Sequence, residues 1–138
     1  MERVLHSQRE ARTLTMNIFL WVLQILLAAM FAAAGIMKAT QPKEKLAGQL
    51  AWVEDYSANT VRLIGVLELL GAIGLILPAA THILPILTPI AATGLAVVMA
   101  LAINTHRRRH EPSGMIFAAV LLVLLVIVAW GRFGPYAF

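Results

Sequence analysis

A chain of 138 residues is long enough for one domain, and a composition with 60% hydrophobic and only 13% charged residues sets it apart from soluble proteins, in which about a quarter of residues are charged. The net charge of +4 does not point to nucleic acid, because the basic residues flank apolar runs and no basic face interleaved with aromatics is available for bases. The absence of cysteine excludes disulfides, Cys-X-X-Cys redox chemistry and thiolate metal or iron–sulfur sites, so any redox role rests on borrowed chemistry.

Met1 to Thr15 is polar, with Arg3, Arg9 and Arg12 against Glu2 and Glu10, and reads as a short, partly ordered tail. Asn17 to Met37 is apolar over about the 20 residues that crossing a bilayer requires. Basic residues before it and Ala32-Ala33-Ala34 within it imitate a signal peptide. The run is longer than the usual apolar region of such a peptide, and Ala28, Ala32 and Gly35 share a face with Gln24, as in a helix that packs against others. Lys38 comes next, and Thr40-Gln41-Pro42 ends the helix, since proline lacks a donor and restricts its predecessor.

From Lys43 to Val53, KEKLAGQLAWV places Leu46, Leu50 and Val53 at i, i+4 and i+7 with Trp52 beside them. This pattern suits a short amphipathic helix in the interface plane, or equally a segment packed over the end of a bundle. Ser57 and Asn59 are candidate N-caps for the second long helix.

That second run, VRLIGVLELLGAIGLILP from Val61 to Pro78, contains a single ionisable side chain well inside it, Glu68. About 17 residues at 1.5 Å rise give roughly 26 Å of helix, near the lower limit for a span. A carboxylate facing lipid there costs a few kcal/mol, so Glu68 should face protein or water. Gly65, Glu68 and Ala72, with Gly71, are expected to form one small-residue face against another helix.

Pro78, Thr81, His82 and Pro85 mark a tight connection without Lys or Arg. A third run spans Leu84 to Ile103, with Pro89 in its first turns and Ala91, Gly94 and Ala102 as small residues; a charged loop, Asn104 to Pro112, comes after it. The fourth run, Met115 to Trp130, leads to Arg132, Phe133, Tyr136 and Phe138, an interfacial end. The predicted fold is all-α within one integral-membrane domain: a bundle of four transmembrane helices, at about 17–37, 61–77, 84–103 and 115–130, with the short amphipathic helix between the first two. Lys38, Lys43, Lys45, Arg62, Arg107, Arg108 and Arg109 fall on one side and Arg3, Arg9, Arg12 and Arg132 on the other. That excess favours cytoplasmic longer loops and both termini outside, with Arg12 arguing the opposite way.

Lys38 and Glu68 sit near the same side of the membrane, within reach of each other if their helices run antiparallel. The pair is either a polar pocket for a ligand, proton or quinone headgroup or a structural ion pair that fixes helix register. Gln24 and Asn104 are candidate supporting polar residues, although such side chains also tie helices together. Arg107, Arg108 and Arg109 form a headgroup or partner anchor. The four histidines give no metal or haem site: His106 and His110 flank the arginine cluster, and His82 and His6 lie elsewhere. No nucleophile with an adjacent base, phosphate-binding loop or paired carboxylates suggests independent catalysis.

FAAAGIMKAT, RLIGVLELLGAIGLILP, AATGLAVVMALAINTHRRR and the closing WGRFGP, in this order, resemble the DoxX-like family of small four-helix membrane proteins, from about Asn17 to Arg132. The more specific parts are G-I-x-K at Gly35 to Lys38 and G-x-x-E-x-x-G-A-x-G-L-x-x-P at Gly65 to Pro78. The resemblance implies a bundle in a bacterial cytoplasmic membrane. Family members are linked to membrane oxidoreductase assemblies, including a thiosulfate–quinone type subunit, and distant relatives act as assembly chaperones or cargo receptors. It transfers no catalytic residue, only Lys38 and Glu68 as motif positions, and the lack of cysteine weighs against sulfur transfer through this chain. The first expectation is a non-catalytic subunit or assembly factor of a membrane redox or respiratory complex, surrounded by lipid and bound to a membrane-protein or redox-enzyme partner. The alternative is a binding or transport protein for a quinone or other apolar ligand at Lys38 and Glu68; a third reading is a homo-oligomer formed through the glycine-rich faces.

Overall fold

In hydrocarbon every backbone polar group must be bonded within the protein, which is why apolar runs of this length become helices. The computed structural model describes all 138 residues: helices α1 (Glu2–Thr40), α2 (Lys43–Gln49), α3 (Ala58–Thr81), α4 (Leu87–Arg108) and α5 (Pro112–Phe133), with a 3₁₀ turn at Ala51–Asp55 and no strand. The four long helices α1, α3, α4 and α5 are each long and apolar enough to cross a membrane. They form a ring in which α1 packs on α3, α3 on α4, α4 on α5, and α5 more lightly on α1. Leu20, Leu27, Leu75, Leu95 and Leu125 are fully buried at its centre.

The polar residues before Asn17 are helical rather than a partly ordered tail, so α1 runs for 39 residues. Extending an existing helix needs no new nucleus, and Glu, Arg, Gln, Ala and Leu are good helix formers. His6 pairs with Glu10 one turn on at 2.9 Å. At roughly 58 Å by its rise per residue, α1 is about twice the thickness of the hydrocarbon core, and its exposed first turns extend beyond the bundle.

Of the other boundaries that differ from the expectation, two change how the bundle is held. Helix α4 continues past Ile103 to Arg108, where His106, Arg107 and Arg108 lie in the last turn and complement the negative end of the helix dipole. Helix α3 continues through Pro78 to Thr81. Proline there removes the N–H that would bond the Gly74 carbonyl, and the buried Thr88 of α4 donates its hydroxyl to that oxygen at 3.0 Å. One residue on, the Leu75 carbonyl accepts Gln24 Nε2 of α1 at 2.7 Å. The turn opened by proline is thus pinned from both neighbours.

Arg132, in the last turn of α5, is buried within the protein. Its Nε donates to Gln24 Oε1 at 2.8 Å and its Nη1 to Asn17 Oδ1 at 2.7 Å and the Tyr136 carbonyl at 3.0 Å, while the Phe138 ring centroid lies 4.1 Å from Cζ. These contacts tie α5 to α1 at the end of the bundle that also holds the α3–α4 turn. Gly131 against Leu20, and Gly71 and Gly74 against Leu95 and Ala91, make close contacts in the same half or near the middle. Gly71 therefore faces α4 and not, with Gly65, the partner of Glu68.

In the other half, α1 and α3 touch backbone to backbone. A Cβ on Gly65 would lie 2.6 Å from the Ala39 nitrogen and 2.8 Å from the Gly35 carbonyl oxygen, and one on Gly35 would lie 2.7 Å from the Gly65 oxygen. Backbone atoms cannot swing aside, so Gly65→Ala should push the helices apart and destabilise by about 1–3 kcal/mol. Gly94, with nothing within 4 Å of its Cβ position, serves as control: Gly94→Ala should be neutral or stabilising, as helix propensity dictates. Thermal unfolding of the two variants in one detergent tests the contrast, and equal behaviour would remove the close contact as a structural requirement.

Candidate functional site

The glycine contact brings the two charged side chains within reach. Side chains on a helix lean toward its N-terminus, so Lys38 on α1 and Glu68 on the antiparallel α3 lean toward each other. Lys38 Nζ donates to Glu68 Oε1 at 2.7 Å, with side chains 12% and 2% exposed. Trp52, in the 3₁₀ turn, places its ring centroid 5.2 Å from the same ammonium, a cation–π contact that holds the lysine head on a second side. The other carboxylate oxygen, Oε2, is buried and has no hydrogen-bond partner in the protein.

The connection between α1 and α3 is a cover over this pair. Leu46 of α2, Val53 of the 3₁₀ turn and Val61 of α3 form a small buried cluster, so the expected amphipathic segment exists but breaks after Gln49 and folds over the bundle end. Ser57 caps α3, its hydroxyl accepting the Thr60 N–H at 3.2 Å. The cover is fastened to α4. Tyr56 and Thr105 hydroxyls are 2.6 Å apart, Arg109 Nη1 donates to Asp55 Oδ1 at 2.7 Å, and Arg108 reaches the Tyr56 hydroxyl at 3.4 Å. The Asp55 hydrogen bond raises the pKa of Arg109 above its ordinary value.

Beneath the cover lies a cavity of about 590 Å³ between the α1–α3 and α4–α5 pairs. Its lining includes Phe31, Leu67, Val98, Met99 and Leu121, most of it hydrophobic; Tyr56, Thr60, Asn104, Thr105 and Arg108 supply a polar rim, and Lys38 and Glu68 are the charged pair in its wall. Leu63 and Leu67 of α3 and Leu101 of α4 line it and are also exposed on the bundle perimeter, as are Met30 and Phe117. The cavity thus opens sideways, toward lipid.

The structure brings together Lys38, Glu68, Asn104 and Arg108, and sets the other candidates apart. Gln24 lies 14 residues from Lys38 on α1, or about 21 Å along the axis, with its amide committed to Leu75 and Arg132. Arg109 belongs to the cover, where it also bonds Glu111 at 3.2 Å, and Arg107 is exposed. His106 is paired with Glu111 at 3.1 Å, and His110 lies past the helix with φ 56°. Tyr56 and Thr105 have no place in the sequence reading, and Trp52 enters it only as part of the amphipathic segment, not as a site residue. Leu101, Asn104, Thr105 and Arg108 do share a helix face by spacing, a signal hidden when the helix is ended at Ile103; the tyrosine and tryptophan, in irregular chain, gave none.

Comparison with protein families matches the model described as "DoxX-like family" over residues 22–128. The chain belongs to the DoxX-like family. The matched stretch of this DoxX-like protein holds the whole cavity and its cover and stops short of Arg132 and the exposed start of α1. No curated protein and no solved structure matches it. The two segments that carry the resemblance most specifically, at Gly35 to Lys38 and Gly65 to Pro78, prove to be one physical unit: the glycines make the approach and the lysine and glutamate fill it.

Breaking a buried pair by removing one partner costs about 3–5 kcal/mol, whereas replacing both by apolar residues costs far less. Lys38→Met and Glu68→Leu should each be strongly destabilising, and the double variant milder than their sum by more than about 1 kcal/mol. A double-mutant cycle in detergent measures this, and additivity within about 0.5 kcal/mol would show that the two residues are uncoupled.

Proposed function

We propose that this DoxX-like membrane protein binds a small, lipid-soluble molecule with a polar head, taken laterally from the bilayer into the cavity at Lys38 and Glu68. The observation that carries this reading is a cavity of about 590 Å³, inside the roughly 300–1,000 Å³ range of small-molecule sites, with apolar walls and a charged pair at one place in them. Quinones are one ligand class of this shape. The chain's own groups hold and orient such a ligand: the apolar wall takes its hydrophobic body, the pair fixes its head, and the cover closes off the aqueous side. We place the protein in a bacterial cytoplasmic membrane with the cover on the cytoplasmic face, as its basic residues favour.

The second reading, a non-catalytic subunit or assembly factor of a membrane redox or respiratory complex, draws on the family resemblance and on α1, whose residues Glu2 to Thr15 are exposed and available to a partner. The two readings are compatible, since a quinone-binding subunit would serve both.

Native mass spectrometry of the protein extracted gently from its own membrane tests the proposal. The expected result is a species carrying one defined small molecule, lost when Leu67→Trp or Leu101→Trp fills the cavity. A stoichiometric protein companion with no small molecule on the chain would overturn the binding reading and support the second.

A further inference from the structure

We propose that the cavity selects an anionic amphiphile, a carboxylate or phosphate head on an apolar body, with Arg108 as the residue that reads the charge; the inference rests on the binding reading above and names its ligand class. Three charged side chains line the cavity: Lys38, Glu68 and Arg108. Lys38 and Glu68 neutralise each other at 2.7 Å, which leaves Arg108. The other ion pairs at this end join His106 to Glu111 and Arg109 to Asp55 and Glu111, and Arg108 is in none of them. Its side-chain hydrogen bond is the 3.4 Å contact to the Tyr56 hydroxyl. A guanidinium carries five N–H donors in a planar fork that fits a carboxylate or phosphate two-pronged. On Arg108, exposed at the rim, most of that fork is open to a ligand.

Access within the pair points the same way. The Lys38 side chain is 12% exposed against 2% for Glu68, so a head in the cavity meets the ammonium rather than the carboxylate. The aromatic pair of the cover leads from that ammonium to Arg108. The Trp52 ring lies 5.2 Å from Lys38 Nζ and 5.8 Å from the Tyr56 ring, and the Tyr56 hydroxyl accepts from Arg108. Asn104, one turn before Arg108 on α4, lines the same cavity and adds amide donors. Donors and positive charge therefore gather at the covered end, where the head belongs, and the apolar body extends toward the lateral opening. One negative charge on the head brings the lining to neutrality, and hydrogen bonds to an ionised acceptor are the stronger kind. A cationic head would face the unneutralised guanidinium. A neutral head, a quinone's carbonyls included, accepts hydrogen bonds there but leaves the charge unmatched, so the anion ranks first.

Three probes with the same chain separate this inference from the one beneath it. Dodecanoate, dodecanol and dodecyltrimethylammonium are titrated by calorimetry into the protein in phosphatidylcholine nanodiscs, in alkaline buffer that keeps the acid ionised, with protein-free nanodiscs as the partition blank. Dodecanoate should bind more tightly than dodecanol by about tenfold or more, the worth of a hydrogen bond to a charged group, and the ammonium more weakly than both. In Arg108→Gln the acid-to-alcohol ratio should fall to near one. Arg107→Gln, which removes the same charge from an exposed neighbour outside the cavity lining, should keep the wild-type ratio. An equal loss in both variants would reduce the effect to surface charge and overturn the assignment to Arg108. Equal wild-type affinities for acid and alcohol would overturn the anionic class while leaving the binding reading standing, and no saturable binding of any probe would overturn the binding reading itself. Displacement of dodecanoate by phosphatidylglycerol added to the nanodiscs assigns the head to an anionic phospholipid, and retention assigns it to a free single-chain acid; each supplies the anion that Arg108 requires.

Discussion

A carboxylate in the hydrocarbon core needs a partner that cannot come from lipid, and the shape of this protein is set by how Glu68 obtains one. Lys38 must approach from another helix, its flexible stem reaching only a few ångströms, and the two helices must therefore come close. Gly35 and Gly65 permit backbone contact at that level, and any side chain at either position would occupy the space of the opposing main chain. The ion pair, the glycine contact and the α1–α3 packing are one constraint expressed at three scales.

The opposite half of the bundle is held by different means. Arg132 is buried without a carboxylate and spreads its charge over Gln24, Asn17, the Tyr136 carbonyl and an aromatic ring. Pro78 frees a carbonyl that Thr88 then claims. Buried polar groups are expensive in this setting, and each is tied across helices, so the half containing Arg132 is closed. The half containing Lys38 is closed only at its aqueous end, by the segment carrying Trp52 and Tyr56, and leaves an apolar space between the helix pairs. That asymmetry, one end clasped and the other covered, is what gives the bundle a site.

Much of this was legible in the residues. Four apolar runs of spanning length give four helices by the backbone requirement alone, and an isolated glutamate in one of them had to face inward. The lysine at the matching depth was identifiable because the connection between the two helices fixes which ends meet. Other features were not legible, for physical reasons. Composition suggested a tail before Asn17, yet helix propensity and an already nucleated span carry α1 back to Glu2. The burial of Arg132 had no local signal, because its acceptors, Asn17 and Gln24, lie more than a hundred residues away in sequence. Trp52 and Tyr56 are set by an irregular turn whose path depends on where Leu46 and Val53 find their apolar cluster, a tertiary fact with no local period.

Fold and site alike depend on Lys38 and Glu68 being in direct contact in a bilayer. Solid-state NMR of the protein in lipid, with ¹⁵N at Lys38 Nζ and ¹³C at Glu68 Cδ, measures their dipolar coupling without mutation. Strong dephasing, corresponding to hydrogen-bonded contact at the 2.7 Å nitrogen–oxygen distance, is the predicted result. Absence of dephasing between the two sites would mean that the glutamate is satisfied in some other way, and the cavity would lose the charged pair on which its proposed function rests.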